Sequence, residues 1–380
     1  MQLYFDYAAT TPIDPRVLSA MLPYFQDIYG NPSSLHRAGQ RARRAVETAR
    51  EQLAAAIGAT PKEIVFTSGA TEADNTVLRA VAARYPKGHI ITSALEHAAV
   101  LETAKQLAER GYAVTFLKPD RQGDITPEAV DAAFQDNTVL LALMHTNNET
   151  GIITDIATIA DIAHQRGALV FCDAVQAFGF SPLSVASLKV DMLALSAHKV
   201  YGPKGVGALY IREGLELAPY LTGGQQERGR RAGTHNTPAI VGMGEAARLT
   251  AESLAQSAHL ARLRGRLETQ LLSIDGVHSN VLSPRRGPKH CNVRVDGVDG
   301  EALLMSLDTL GVYVSAGSAC AAGSLSPSHV LTAMGLPAAS AKASIRLSLG
   351  AGVTPEMVDE AAARFAEAVA RCRAMPEIAV

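Results

Sequence analysis

The chain keeps switching between two kinds of segment. Short apolar runs recur: "EIVFTS" (63–68), "HIITS" (89–93), "AVTFL" (113–117), "TVLLALMH" (138–145), "ALVFCD" (168–173), "DMLALS" (191–196) and "GVGALYI" (205–211). A strand with one wet face alternates apolar and polar residues. Runs this continuously apolar suit strands covered on both faces. Between them lie helical patterns such as "TEADNTVLRAVAARY", "AAVLETAKQLAERG" (98–111) and "IATIADIAHQRG" (156–167). Strands alternating with helices of about 10–15 residues predict an α/β fold with a mainly parallel, doubly wound sheet.

The pattern changes after about residue 240. A long helical region runs from "TPAIVGMGEAARLTAESL" through "LARLRGRLETQLLS". "CNVRVD" (strand), "GEALLMSLDTLG" (helix), "ASIRLSLG" (strand) and a last helix, "TPEMVDEAAARFAEAVARCRAM", then follow. This reads as a smaller α+β domain, and 380 residues suit two domains. A net charge of −2 gives no broad nucleic-acid footprint. "MQLYFDYAATTPIDPR" is not a secretion signal, and no apolar stretch nears the roughly 20 residues that span a bilayer, so a cytoplasmic protein is expected. Cys172, Cys291, Cys320 and Cys372 are widely spaced without a C-x-x-C pair, which predicts reduced thiols, no disulfide framework and no metal site.

In open α/β sheets ligands bind beyond the C-terminal strand ends, so the polar residues there carry the functional reading. After "EIVFT" comes "SGATEADN", whose small residues open a helix and offer free N–H groups to a phosphate; a plain cap by Thr71 is the bland alternative. After "ALVFC" comes Asp173, a carboxylate that needs a cationic partner if buried, with Gln176 three residues on. After "DMLALS" comes "AHKVYGPKGVG", with His198 and Lys199; a lysine between apolar strand and glycine loop is a candidate reactive amine. An anion site, a carboxylate and an amine on neighbouring strand ends match pyridoxal phosphate. Its phosphate needs the helix N-terminus, its ring nitrogen the carboxylate, and its aldehyde the amine. His97 in "LEHAAV" lies at another strand end, placed to stack on a flat ring.

With these residues in view, the chain resembles the cysteine desulfurases of the NifS/IscS type, in the class V aminotransferase-like, fold-type I group of pyridoxal phosphate enzymes. The resemblance runs nearly end to end: "YFDYAATTP", "YGNPSSLH", "FTSGATEADN", "LEHAAV", "NNETG", "CDAVQAFG", "SAHKVYGPKGVG", "GGQQERGRRAGTHN", "SAGSACAAGS" and "IRLSLG". It implies a large cofactor domain over 15–255 and a small domain from 1–14 with 256–380, which carries the catalytic-cysteine loop. It implies that Lys199 holds the cofactor as a Schiff base, Asp173 pairs with the ring nitrogen, and Gln176 bonds the ring hydroxyl oxygen. His97 would stack on the ring and assist proton transfer. Ala70, Thr71, Ser196 and His198 would bind the phosphate. Thr234 would reach the phosphate of a neighbouring subunit, which implies a homodimer with shared sites. Asn148 and Arg346 would hold the substrate carboxylate, and Asn31 would line the entrance.

The resemblance also explains "VSAGSACAAGSLSPSH" (314–329), where Cys320 sits among Gly, Ala and Ser. A thiolate is a soft nucleophile toward sulfur. Cys320 would take sulfur from L-cysteine as a persulfide, leaving L-alanine, and small neighbours would let it carry the sulfur away. The long spacing of this loop is that of the NifS/IscS group, which implies delivery to varied acceptors. Iron–sulfur scaffolds, tRNA-thiolation proteins, other thio-cofactor pathways and DNA sulfur modification all stand open. Selenocysteine lyase, another β-lyase or an aminotransferase of the same fold is the alternative, and an idle sulfur-relay scaffold is a third reading against which Lys199 and Asp173 argue. "GGQQE" has Gln225 where the family usually has glycine, so a stiffened or shifted arm is expected there.

Overall fold

The computed structural model describes residues 2–317 and 326–374. Its strands are β1 (Leu3–Tyr4), β2 (Ile64–Thr67), β3 (His89–Ser93), β4 (Ala113–Leu117), β5 (Thr138–Met144), β6 (Leu169–Asp173), β7 (Met192–Ser196), β8 (Gly207–Ile211), β9 (Val277–Ser279), β10 (His290–Val295), β11 (Val312–Tyr313) and β12 (Ser344–Ser348). The largest sheet has seven strands in the order β2-β8-β7-β6-β5-β3-β4. Every pairing in it is parallel except the two made by β8.

Each apolar run serves two cores at once. In β6, Val170 and Cys172 belong to one buried cluster and Phe171 to the other; in β7, Leu193 and Leu195 face the first and Met192 and Ala194 the second. Helices Ala70–Arg84 and Ala98–Glu109 supply Val77, Val81, Val100 and Ala104 to one face. Helices Arg37–Ile57, Ile156–Gln165 and Thr237–Ala255 cover the other, with Leu53, Ile159 and Ile240 among their buried residues. Successive side chains point to opposite faces, so double coverage removes the polar alternation.

Helix Arg37–Ile57 lies outside the regular strand-and-helix succession of the sequence. It buries Ala42, Val46, Ala49, Leu53 and Ile57 at helical spacing and ends on Gly58 at φ 67°. It packs against Thr237–Ala255 so closely that a Cβ on Gly244 would lie 2.5 Å from Ala49 Cα. The long C-terminal helical region is two helices, Thr237–Ala255 and Ser257–Leu272, parted at Gln256 where Ser257 Oγ donates to the Phe180 carbonyl at 3.0 Å. A three-stranded antiparallel sheet, β12-β10-β9, follows, and β1 pairs parallel with β11.

The arm 223–236 is rooted by a buried ion pair. Arg50 donates to Glu227 through both terminal nitrogens, at 2.7 and 2.8 Å, and Phe66 N–H and His235 bond the same carboxylate. Glu227 and Arg228 hold φ of 48° and 58°, while Gln225 is exposed at φ −86°. The strained backbone therefore falls on Glu227 and Arg228, and a non-glycine residue fits at 225 without backbone strain. Burial raises the Glu227 carboxyl, but Arg50 and His235 outweigh it and hold the group at about 2 instead of 4.5. Its folded value is depressed, so its stabilisation is complete above the ordinary glutamate range and is lost as pH falls through about 2. Arg50→Ala strands a buried carboxylate and should cost about 3–5 kcal/mol in urea unfolding at neutral pH; a loss below 1 kcal/mol would contradict this account of the arm's root.

Candidate active site

The C-terminal ends of β2, β3, β5, β6 and β7 open onto one cavity of about 500 Å³. Ser68 to Glu72 and Asp74 line it after β2, His97 after β3, Thr146 and Asn148 after β5, Asp173, Val175 and Gln176 at and after the end of β6, and Ser196, His198 and Lys199 at and after the end of β7. The N-terminal segment Ala8–Thr10 and Arg346 of β12 complete the wall. The cavity thus lies where the large sheet, the N-terminal segment and the C-terminal sheet meet.

Lys199 lies on a 3-10 turn that follows β7 directly, and its Nζ donates to the carbonyls of Ala8 and Ala9 at 2.7 Å each. Asp173 is the last residue of β6 and is buried; its Oδ1 accepts from Val175 N–H at 3.0 Å. Burial raises the Asp173 carboxyl, and only His97, that backbone N–H and Lys199 oppose the rise. His97 caps helix Ala98–Glu109 by accepting from Ala99 N–H at Nδ1, which assigns the proton of the neutral ring to Nε2. Burial lowers its basicity against the pull of Asp173. His198 bonds Thr10 Oγ1 at 3.1 Å; burial and then Lys199 and Lys204 lower it to about 4, so it is a neutral imidazole.

Helix Ala70–Arg84 begins at the rim with Gly69 at its N-cap and no side-chain cap, so Thr71 is not the cap and the first N–H groups face the cavity mouth. A Cβ on Gly207 would come within 2.7 Å of Gly69 backbone, so β8 can approach this turn only as glycine. Arg346 is buried, donating to the Asn148 carbonyl at 3.0 Å and to Asp6 at 2.8 Å, and its Nε has no partner among the described residues. Asn148 Oδ1 and Gln176 Oε1 are also buried without partners among the described residues, while Gln176 Nε2 donates to the Ala8 carbonyl. Uncapped N–H groups at one end, a buried carboxylate at the other and an amine between fit a ring with an anionic arm and a cationic nitrogen. The residues present therefore fit pyridoxal phosphate.

Ala70, Thr71, His97, Asn148, Asp173, Gln176, Ser196, His198, Lys199 and Arg346 all line this cavity. Thr234 and Asn31 do not; both are exposed, and Asn31 Oδ1 accepts from Ser33 N–H at 2.9 Å. Cys320 lies outside the described residues. Sequence reasoning missed Asp74, which lines the cavity four residues after Ala70, and Glu96, which is buried beside His97. It also missed Glu149, whose buried carboxylate accepts from Ser328 Oγ at 2.5 Å and ties the strand-end turn to the chain near residue 328. Their signal was an acid inside or next to a quoted motif, which charge counting takes for a solvated residue.

A family model, Aminotransferase class-V, matches residues 3–360. The cysteine desulfurase IscS of Anaeromyxobacter dehalogenans (strain 2CP-C) is 48% identical over 383 residues, covering 98% of this chain and 94% of that protein. A solved NifS-like protein superposes with a TM-score of 0.92 at 38% identity, covering 98% of this chain and 100% of that one. SspA, solved in complex with cysteine, has a TM-score of 0.82 at 38% identity, covering 92% and 99% of the two chains. The chain belongs to the class-V aminotransferase family, whose fold and cofactor chemistry its sheet and cavity share. Within that family it is a pyridoxal phosphate-dependent cysteine desulfurase of the NifS/IscS type.

None of the three described cysteines lines the cavity. Cys172 and Cys291 are fully buried, and burial pushes the Cys172 thiol well up and the Cys291 thiol to about 12. Iodoacetamide at pH 8 should therefore leave both unmodified in the native protein and label them only after unfolding, as read by peptide mass spectrometry; rapid native labelling of either would contradict the burial assigned here.

Proposed function

We propose that the chain converts L-cysteine to L-alanine at this cavity, with Cys320 taking the sulfur as a persulfide. The observation that carries the reading is the convergence of Lys199, Asp173, His97 and an uncapped helix N-terminus on one wall. SspA, a relative of the same fold, was solved with cysteine bound, which supports cysteine as substrate. When bound, the cofactor supplies an electron sink that acidifies the substrate Cα–H and loosens the Cβ–S bond.

The chain's own residues do the rest. Asp173 would hold the ring nitrogen protonated, and the N–H groups at Ala70 and Thr71 would hold the phosphate with Ser196 and neutral His198. Gln176 would bond the ring hydroxyl oxygen. His97 would stack on the ring, with Nδ1 engaged by the helix cap and its proton on Nε2. Lys199 Nζ removes the Cα proton. Arg346 and Asn148 receive the substrate carboxylate: the buried Arg346 Nε, a donor with no partner among the described residues, supports an acceptor there, and Asn148 would donate through its amide Nδ2. Asn31, exposed and outside its own cavity, would line the entrance only of a partner's site. The Cys320 thiolate attacks the substrate sulfur, an S–S bond forms as the Cβ–S bond breaks, and the three-carbon fragment takes up protons to become alanine.

Two copies complete the site in this reading. Thr234 is exposed and outside its own cavity, which suits a role in a partner's phosphate site. Leu22, Phe25, Tyr29 and Leu35 crowd an exposed segment, with Tyr29 at 80% and Leu35 at 84% exposure, an apolar surface that a second copy would cover. The protein should therefore sediment at twice its 40.0 kDa chain mass; a monomer would remove Thr234 from the site. We further propose the division into a large domain, 15–255, and a small one, 1–14 with 256–380. The reading includes cytoplasmic residence and transfer of the persulfide sulfur to an iron–sulfur scaffold or thio-modification protein.

The test is turnover of wild type and Cys320→Ala with L-cysteine and a reductant, with alanine and sulfide quantified together. Wild type should form both in equal amounts and the variant neither, a loss of at least about 100-fold, since the nucleophile itself is removed. Undiminished alanine formation by the variant would replace this mechanism with a β-lyase or transaminase reaction.

A further inference from the structure

Asp173 is not alone at its end of the cavity. Asp74, on the second turn of helix Ala70–Arg84, lines the same cavity, is 1% exposed, and has no hydrogen-bond partner among the described residues for either carboxyl oxygen. Glu96 is equally buried; Ser93 Oγ donates to its Oε1 at 2.5 Å, the Met144 backbone N–H also bonds the carboxyl group, and its Oε2 has no partner among the described residues. Three buried carboxyl groups thus lie close to one another. A buried carboxylate without donors, as at Asp74, is costly, and like charges beside it add to the cost.

We propose that Asp74 and Glu96 are proton-holding partners of Asp173, so that the protein gives up protons when a cationic ring is bound at Asp173 and takes them back when it leaves. The inference rests on the assignment of Asp173 to the ring nitrogen. The groups facing this acid set are few. His97 and Lys199 act on Asp173, His329 bonds the Glu96 carbonyl at 3.0 Å and acts on His97, and Cys172 lies beneath as a buried thiol. His97 and Lys199 can offset one carboxylate, which leaves the remaining acids to be neutralised by protons. The direction agrees: burial, Asp173 and Glu96 raise Asp74 well above the ordinary range, and burial raises Glu96 to about 8. A ring cation arriving at Asp173 favours the ionised forms of all three, and the displaced protons pass to solvent.

The sign follows from linkage. A ligand whose binding expels protons binds more tightly as pH rises, by up to about tenfold per pH unit for each proton released. The experiment uses apoprotein prepared from the purified holoenzyme, with pyridoxal phosphate rebinding followed by absorbance and by calorimetry in two buffers of different ionisation enthalpy, from pH 6 to 8. Changes from Lys199 and from the cofactor's own groups are common to wild type and variant, so the difference isolates the acids. Asp74→Asn, a neutral isostere, should release fewer protons than wild type and flatten the pH dependence of affinity, and Glu96→Gln should do the same by its own share. Equal proton release and equal slopes in wild type and both variants would overturn the inference while leaving the function intact. A wild-type apoprotein that takes up no pyridoxal phosphate at any pH would overturn both.

Discussion

A single buried carboxylate at the end of a central strand organises this molecule. Asp173 ends β6 with both faces of the sheet covered, where an unpaired charge is expensive. Around it stand the two groups that can carry compensating charge, His97 and Lys199, each delivered by the turn after a different strand. The parallel sheet is what permits this: its strands end on one side, so residues far apart in sequence converge. Covering both faces makes those strand ends dry enough for Asp173 to matter.

The second constraint is mechanical and centres on the turn after β5. Asn147 Oδ1 accepts from Glu149 N–H and Thr150 N–H, which fixes the turn's shape. From there, Asn292 of β10 donates to the Glu149 carbonyl, Arg346 of β12 donates to the Asn148 carbonyl, and Ser328 donates to the Glu149 carboxylate. The turn therefore joins the seven-stranded sheet to the three-stranded one, and both to the residue that caps helix His329–Ala333. Asn148 and Arg346 meet here because one donates to the other's backbone, a coupling that gives the proposed carboxylate-binding pair its geometry.

Much of this was legible in the sequence, and the reasons are physical. Continuous apolar runs located the seven strands of the large sheet within a residue or two, because double coverage leaves a plain signal. Asp173, Lys199 and His97 were legible because each lies at the end of such a run or within four residues of it. Helix Arg37–Ile57 escaped because it is amphipathic with many arginines and precedes the first apolar run, and β1 because a two-residue strand has no periodicity. Asp74, Glu96 and Glu149 escaped for another reason. A sequence gives charge but not burial, and their meaning depends on being inside. Thr234 and Asn31 show the converse: motif position named them, but the folded chain places neither in its own cavity.

The cavity carries groups of both signs. Asp74 and Asp173 line it with Glu96 buried beside His97, Glu72 lines it as the ion-pair partner of Arg231, and Lys199, Lys204, His198 and Arg346 line it as well. Lys289 is fully buried with Nζ 3.8 Å from the Phe180 ring centroid, and burial, Lys199 and Arg346 all lower its basicity. Burial against an aromatic face favours the neutral form of this amine, which limits the positive charge it adds there. Burial thus acts in opposite directions on the two kinds of group: it favours the protonated form of Asp74 and Glu96 and the deprotonated form of Lys289. In the proposed reading, a ligand cationic at its ring nitrogen and anionic at phosphate and carboxylate would meet groups of the opposite sign on one cavity, and the same burial that raises the acids would make its charge count for more than it would in water.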